Sequence, residues 1–189
     1  MKHLSVLVKI WGSMLALLVG SAVHAQNAGG TVSFSGSLSA NTCVFQMGGV
    51  SQANLAVQLP TVPVASMATT GTVSLEAATF NVGFTGCGAT PSPATAYYYL
   101  SSNSAANNQI SNKSSGGSAA TGVAMQLYAS DGTTTIPVTT TSTKYGTGVT
   151  LGTANAAVNT VFKVKYVATA ATPTAGAVTG DLIVNWAYQ

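Results

Sequence analysis

The chain has 189 residues, of which 47 % are hydrophobic and only 5 % charged; its six Lys and Arg positions are all lysines, set against three carboxylates. So few cations exclude a binder of phosphate backbone, which needs clustered Lys or Arg. The hydrophobic residues fall in regular alternation, which excludes a disordered chain.

The chain opens with a basic stretch holding Lys2, His3 and Lys9. An apolar run from Ile10 to Val19 follows, and then Val23-His24-Ala25, with small residues at the third and first positions before Gln26. This is the pattern of a secretory signal peptide cleaved after Ala25. A membrane anchor needs about 20 apolar residues, roughly twice this run. The expected organisation is therefore a signal peptide over 1–25, an N-terminal extension over 26–40 and one domain over 41–189. Maturation removes both histidines, His3 and His24, and leaves Lys113, Lys144, Lys163 and Lys165 against Glu76, Asp131 and Asp181.

Downstream of the signal, Val32, Phe34 and Leu38 alternate with Thr31, Ser33, Ser35 and Ser37. Leu55, Val57 and Leu59 alternate up to Pro60, and Phe80, Val82 and Phe84 alternate up to Gly86-Cys87. Tyr97–Leu100 is a short aromatic strand. Val123–Tyr128 alternates and stops at the Asp131-Gly132 turn signal. Ile136-Pro137-Val138 reads as a short edge piece because proline cannot donate to a ladder. Phe162–Tyr166 sets Lys163 and Lys165 on a wet face, and Gly176–Gln189 alternates to the last residue. Period two with one apolar face is the signature of half-buried antiparallel strands. No stretch has clean helical period, although a helical turn fits within Met67–Phe80. Asn103–Asn108, Ser114–Ser118 and Thr139–Thr143 read as loops. The expected fold is an all-β sandwich, immunoglobulin-like in the broad sense.

Two cysteines, Cys43 and Cys87, survive maturation. In an exported chain an even count favours a disulfide, and closing a loop of this size is worth about 4 kcal/mol. They cannot form a zinc site without further ligands, and no imidazole activates either thiol. Glu76, Asp131 and Asp181 are widely spaced, and the hydroxyl-rich stretches have no base beside them. The parts that catalysis requires are missing, so the chain is read as a non-enzyme with no cofactor, no metal and no nucleic-acid partner.

Both ends of the mature chain alternate, and an exposed apolar edge strand is an aggregation hazard unless something covers it. These ends resemble those of a chaperone–usher fimbrial major subunit, a type 1 pilus-like pilin. The resemblance rests on Gly29-Gly30-Thr-Val-Ser-Phe-Ser-Gly36 with Asn41-Thr42-Cys43, on Phe80–Cys87, on Tyr166–Pro173, and on a glycine fourteenth from the end followed by alternating apolar residues and a penultimate tyrosine. It implies an incomplete immunoglobulin-like sandwich lacking its final strand, completed by donor-strand exchange. Ala28, Gly30, Val32, Phe34, Gly36 and Leu38 are then the donor strand. Gly176, Val178, Gly180, Leu182, Val184, Trp186 and Tyr188 are the groove edge and the chaperone-recognition strand, with Trp186 bulkier than the pattern. The implied partners are other copies of the chain or sister pilins, a periplasmic chaperone and an outer-membrane usher. The implied role is a structural subunit of a surface fimbrium used in cell adhesion, exported through the periplasm. The alternatives are a minor, adaptor or adhesive subunit, or a self-complete secreted β-sandwich that binds a ligand.

Overall fold

The computed structural model of the protein describes residues 43–87, 95–151 and 156–188, all within one compact unit, Leu38–Gln189. Its first sheet contains β1 (Val44–Met47), β2 (Ala78–Thr85), β9 (Val158–Ala168), β6 (Val123–Tyr128), β5 (Gln109–Ser111) and β4 (Ala105–Ala106) in that spatial order, with β7 (Thr135–Ile136) also on β6. The second sheet has the order β10 (Ile183–Tyr188), β3 (Thr95–Ser101), β8 (Thr143–Thr150). Every strand pair is antiparallel.

The alternation explains which faces meet. Val82 and Phe84 of β2, Leu127 of β6, and Phe162 and Val164 of β9 turn inward from the first sheet, and Tyr98 and Leu100 of β3 turn inward from the second. Tyr98 stacks on Phe84 at 5.7 Å between ring centroids and meets Phe162 edge-on at 6.4 Å. Such offset and edge-on pairs add about 0.5–1.5 kcal/mol beyond the area they bury. The Tyr98 hydroxyl donates to the Val82 carbonyl at 3.4 Å, and burial pushes its pKa above the ordinary tyrosine value. Lys163 and Lys165 sit on the other face of β9, and Lys165 Nζ donates to the Gly132 carbonyl.

Cys43 and Cys87 form the expected disulfide, with a sequence separation of 44. It staples the end of the β1–β2 ladder, where Val44 pairs with Thr85.

Three sequence expectations need revision. Asn103–Asn108 is not all loop: Ala105–Ala106 and Gln109–Ser111 form a hairpin around Asn107-Asn108, whose φ values are 53° and 64°. Two successive left-handed residues define the type I′ turn that matches strand twist, and Asn tolerates that region better than most residues. The helical turn lies at Val64–Met67, just ahead of the stretch where it was expected, with Pro63 as its N-cap. Leu55–Leu59 belongs to no strand. Its alternation is physical, since Leu55, Val57 and Leu59 are half-buried while Ala56 and Gln58 are exposed, yet no ladder partner lies beside it among the described residues.

Candidate functional site: a cleft with one open β edge

Residues 176–188 divide into two halves. In the second half, β10 pairs with β3 from Ile183↔Ser101 to Tyr188↔Ala96. Among the described residues β3 is its only ladder partner, so the opposite edge of β10 is open. The first half leaves that ladder and runs along residues 112–120. Ala177 N–H donates to the Ser118 carbonyl, and the Ala177 carbonyl accepts from Ala120 N–H. The Thr179 carbonyl accepts from Lys113 N–H, and Thr179 N–H donates to Asn112 Oδ1. In an extended chain both backbone polar groups of one residue point to the same side, and those of its neighbours point to the other. The groups of Val178 and Gly180 therefore face away from residues 112–120.

They face a cleft. One stretch, of about 300 Å³, lies between Leu182 and Val184 on one wall and Leu55, Val57 and Leu59 on the other. Val82, Ile110, Met125 and Val164 form its floor. A second stretch of about 410 Å³ continues past Leu59 to Met67, Tyr166 and Gly176–Val178. Val178, Leu182 and Val184 touch the core and yet are only half-buried. Apolar side chains left half-covered along a one-sided edge are what an added strand would bury.

Two glycines set the wall's position. A Cβ on Gly176 would lie 2.4 Å from Ala120 N and 2.5 Å from the Ala119 carbonyl carbon, so only glycine lets the two backbones meet there. A Cβ on Gly180 would lie 2.4 Å from Met125 Cε and 2.8 Å from Ile110 Cγ2, so the floor rises against the chain at that point. Beyond Val184 the space is filled. Trp186 stacks on Phe45 of β1 at 6.1 Å, meets Phe84 edge-on at 5.2 Å and lies 5.0 Å from Tyr188. Phe45 and Trp186 come from opposite sheets, so their contact shuts this end of the cleft.

Of the seven expected edge residues, Gly176, Val178, Gly180, Leu182 and Val184 line the cleft, whereas Trp186 and Tyr188 belong to the aromatic cluster at its end. The expected donor residues Ala28, Gly30, Val32, Phe34, Gly36 and Leu38 lie outside the described residues. The second wall was visible in the sequence as alternation over Leu55–Leu59, but nothing there marked it as facing a gap.

Two of the three carboxylates are engaged locally. Asp131 accepts from Thr133 N–H, Thr134 N–H and the Thr134 hydroxyl, the last at 2.6 Å, and these bonds hold its pKa well below the ordinary range. Asp181, on the cleft rim, pairs with Lys113 at 2.9 Å, and the lysine lowers its pKa. Glu76 is exposed. Among the described residues no three Cys, Asp or Glu side chains gather as a metal site.

A family model described as fimbrial protein matches residues 32–189. The fold is similar to that of the P pilus rod subunit PapA, at 15 % identity and a TM-score of 0.57, covering 77 % of this chain and 99 % of that one. It is equally similar to a subunit in a chaperone–usher pilus structure that addresses rod uncoiling, at 17 % identity and a TM-score of 0.57, covering 86 % and 97 %. A Burkholderia pseudomallei antigen and type I fimbria protein aligns at 16 % identity and a TM-score of 0.47, covering 79 % and 97 %. No curated protein matches by sequence.

Proposed function

This chain belongs to the fimbrial protein family and is a pilus subunit, and on that premise we propose that it polymerises by filling its cleft with the N-terminal segment of another copy or of a sister pilin. The observation that carries this reading is the cleft itself, an apolar channel with a free strand edge on one wall. The incoming strand is Gln26–Leu38. Ala28, Gly30, Val32, Phe34, Gly36 and Leu38 alternate toward the floor, and the hydroxyl residues between them face water. Each backbone hydrogen bond along the edge is worth about 0.5–1.5 kcal/mol net. Each buried Val, Phe or Leu adds about 1.5–3 kcal/mol.

Such a contact is head-to-tail. It does not close on itself, so it propagates into a fibre. Before assembly the same open edge needs cover. A periplasmic chaperone supplies it, with an outer-membrane usher receiving the subunit after export through the periplasm by the 1–25 signal. The product is a surface fimbrium used in adhesion. The domain itself is 41–189, preceded by a 26–40 extension.

Deletion of Gln26–Leu38 tests the reading. The truncated subunit should still co-purify with its chaperone and should contribute no donor, so electron microscopy of cells expressing it alone should show no fibres. Fibres of normal length from that variant would falsify the proposal.

A further inference from the structure

The Asn112 side chain makes four hydrogen bonds. Its Nδ2 donates to the Ala120 carbonyl at 2.8 Å and to the Ala177 carbonyl at 3.0 Å. Its Oδ1 accepts from Ser114 N–H and Thr179 N–H, both at 3.0 Å. That is the full capacity of an amide, two donors and two acceptors. A flipped amide would set N–H against N–H and oxygen against carbonyl oxygen, so the network fixes its orientation. The next residue extends the contact: Lys113 N–H donates to the Thr179 carbonyl at 2.8 Å, and Lys113 Nζ pairs with Asp181 at 2.9 Å.

These bonds fall on 177, 179 and 181, every second residue of the cleft wall. They take the place of the ladder that this half of the wall lacks. By holding the odd residues they turn the backbone groups of Val178 and Gly180 toward the cleft. We infer that Asn112 is a positioning residue for strand capture, a side-chain clamp that presents the first half of the wall to the incoming strand. The inference rests on the donor-strand reading above. Among the side chains, only Asn or Gln can donate twice and accept twice in this way, and the fourfold fit at 2.8–3.0 Å is set by the length of Asn.

The test uses the full-length chain with Asn112→Asp and Asn112→Ser. Asp has the same shape but turns a carboxylate oxygen toward two carbonyls, and Ser cannot reach all four partners. Hydrogen exchange read by mass spectrometry should quicken at Ala177 and Thr179 by about tenfold or more, and the amides of β10 should keep their parent rates. Assembly followed by light scattering should slow by a comparable factor, less in Asn112→Ser than in Asn112→Asp. If the Asp variant fails to fold, the Ser variant decides on the same readouts. Exchange at 177 and 179 unchanged in the folded variants overturns the clamp. Faster exchange with an unchanged assembly rate overturns its role in capture. Assembly that survives deletion of Gln26–Leu38 overturns the donor-strand reading instead, and the exchange data separate that failure because they need no donor.

Discussion

The two halves of the 176–188 segment share one alternating pattern and are held by different means. Ile183–Tyr188 is anchored by a six-residue register on β3 and by the rings of Trp186 and Tyr188. Gly176–Leu182 takes its backbone hydrogen bonds from residues 112–120, and its other edge borders the cleft with no ladder partner among the described residues. The same periodicity thus serves a strand laddered on β3 and a cleft wall that has no ladder among the described residues. The first kind of contact stabilises the subunit by itself. On the proposed reading, the second gains most of its free energy when a strand enters.

Four perturbations break or sharpen that contrast. The largest effect belongs to neither half. Cys43→Ala with Cys87→Ala should lower stability by about 4 kcal/mol, the chain-entropy value for a loop of this size, visible as a shifted urea midpoint that the reduced parent reproduces. Next, Trp186→Ala removes a half-buried ring from the closed end. A loss of about 3 kcal/mol is expected, at the low end for a large aromatic because the site is not fully enclosed, and it should appear in free and polymerised subunits alike. Leu182→Ala should behave differently. In the free chain, where the side chain is half-covered, roughly 1 kcal/mol should go. In the fibre, where the inserted strand covers it, about 2–3 kcal/mol should go. Equal losses in thermal melts of the two states would erase the distinction between the halves.

The smallest effect is Asp181→Asn, which breaks the pair with Lys113. The pair is partly exposed, so less than about 1 kcal/mol is at stake. Its sign is set by a folded pKa held below the unfolded one by Lys113. The contribution is complete above about pH 4–5 and fades as pH falls through the folded value. Denaturation midpoints of parent and variant should therefore differ at pH 7 and converge in strong acid.

Strands were legible where apolar residues alternate without interruption, as in Val123–Tyr128 and Phe80–Phe84. β8 was not, because Thr143–Thr150 is mostly exposed at a sheet edge and carries Gly146 and Gly148 at positive φ. β1 is four residues long, and its first residue, Val44, is 45 % exposed, so its pattern gives little signal. At the cleft the C-terminal segment was readable as alternating, and its place as a groove wall was implied by the family resemblance. Its separation from the aromatic plug was not, since the bulk of Trp186 has no evident use until Phe45 is brought opposite it. Asn112 was invisible for a similar reason. An asparagine between two polar residues reads as loop, and its four partners come together only when residues 120, 177 and 179 converge on it.

The cleft lining also says something about the setting in which it works. Among its described residues Asp181 is the only charged one, and Lys113 already neutralises it. Gln26–Leu38 carries no charged side chain. Side-chain charge in the cleft or in the proposed donor therefore adds little to steering, and what the rest of the chain adds is screened over about 10 Å at 0.1 M. Strand capture should run at nearly one rate in dilute and in saline media. The contact itself would then depend on burial of apolar side chains more than on ion pairing.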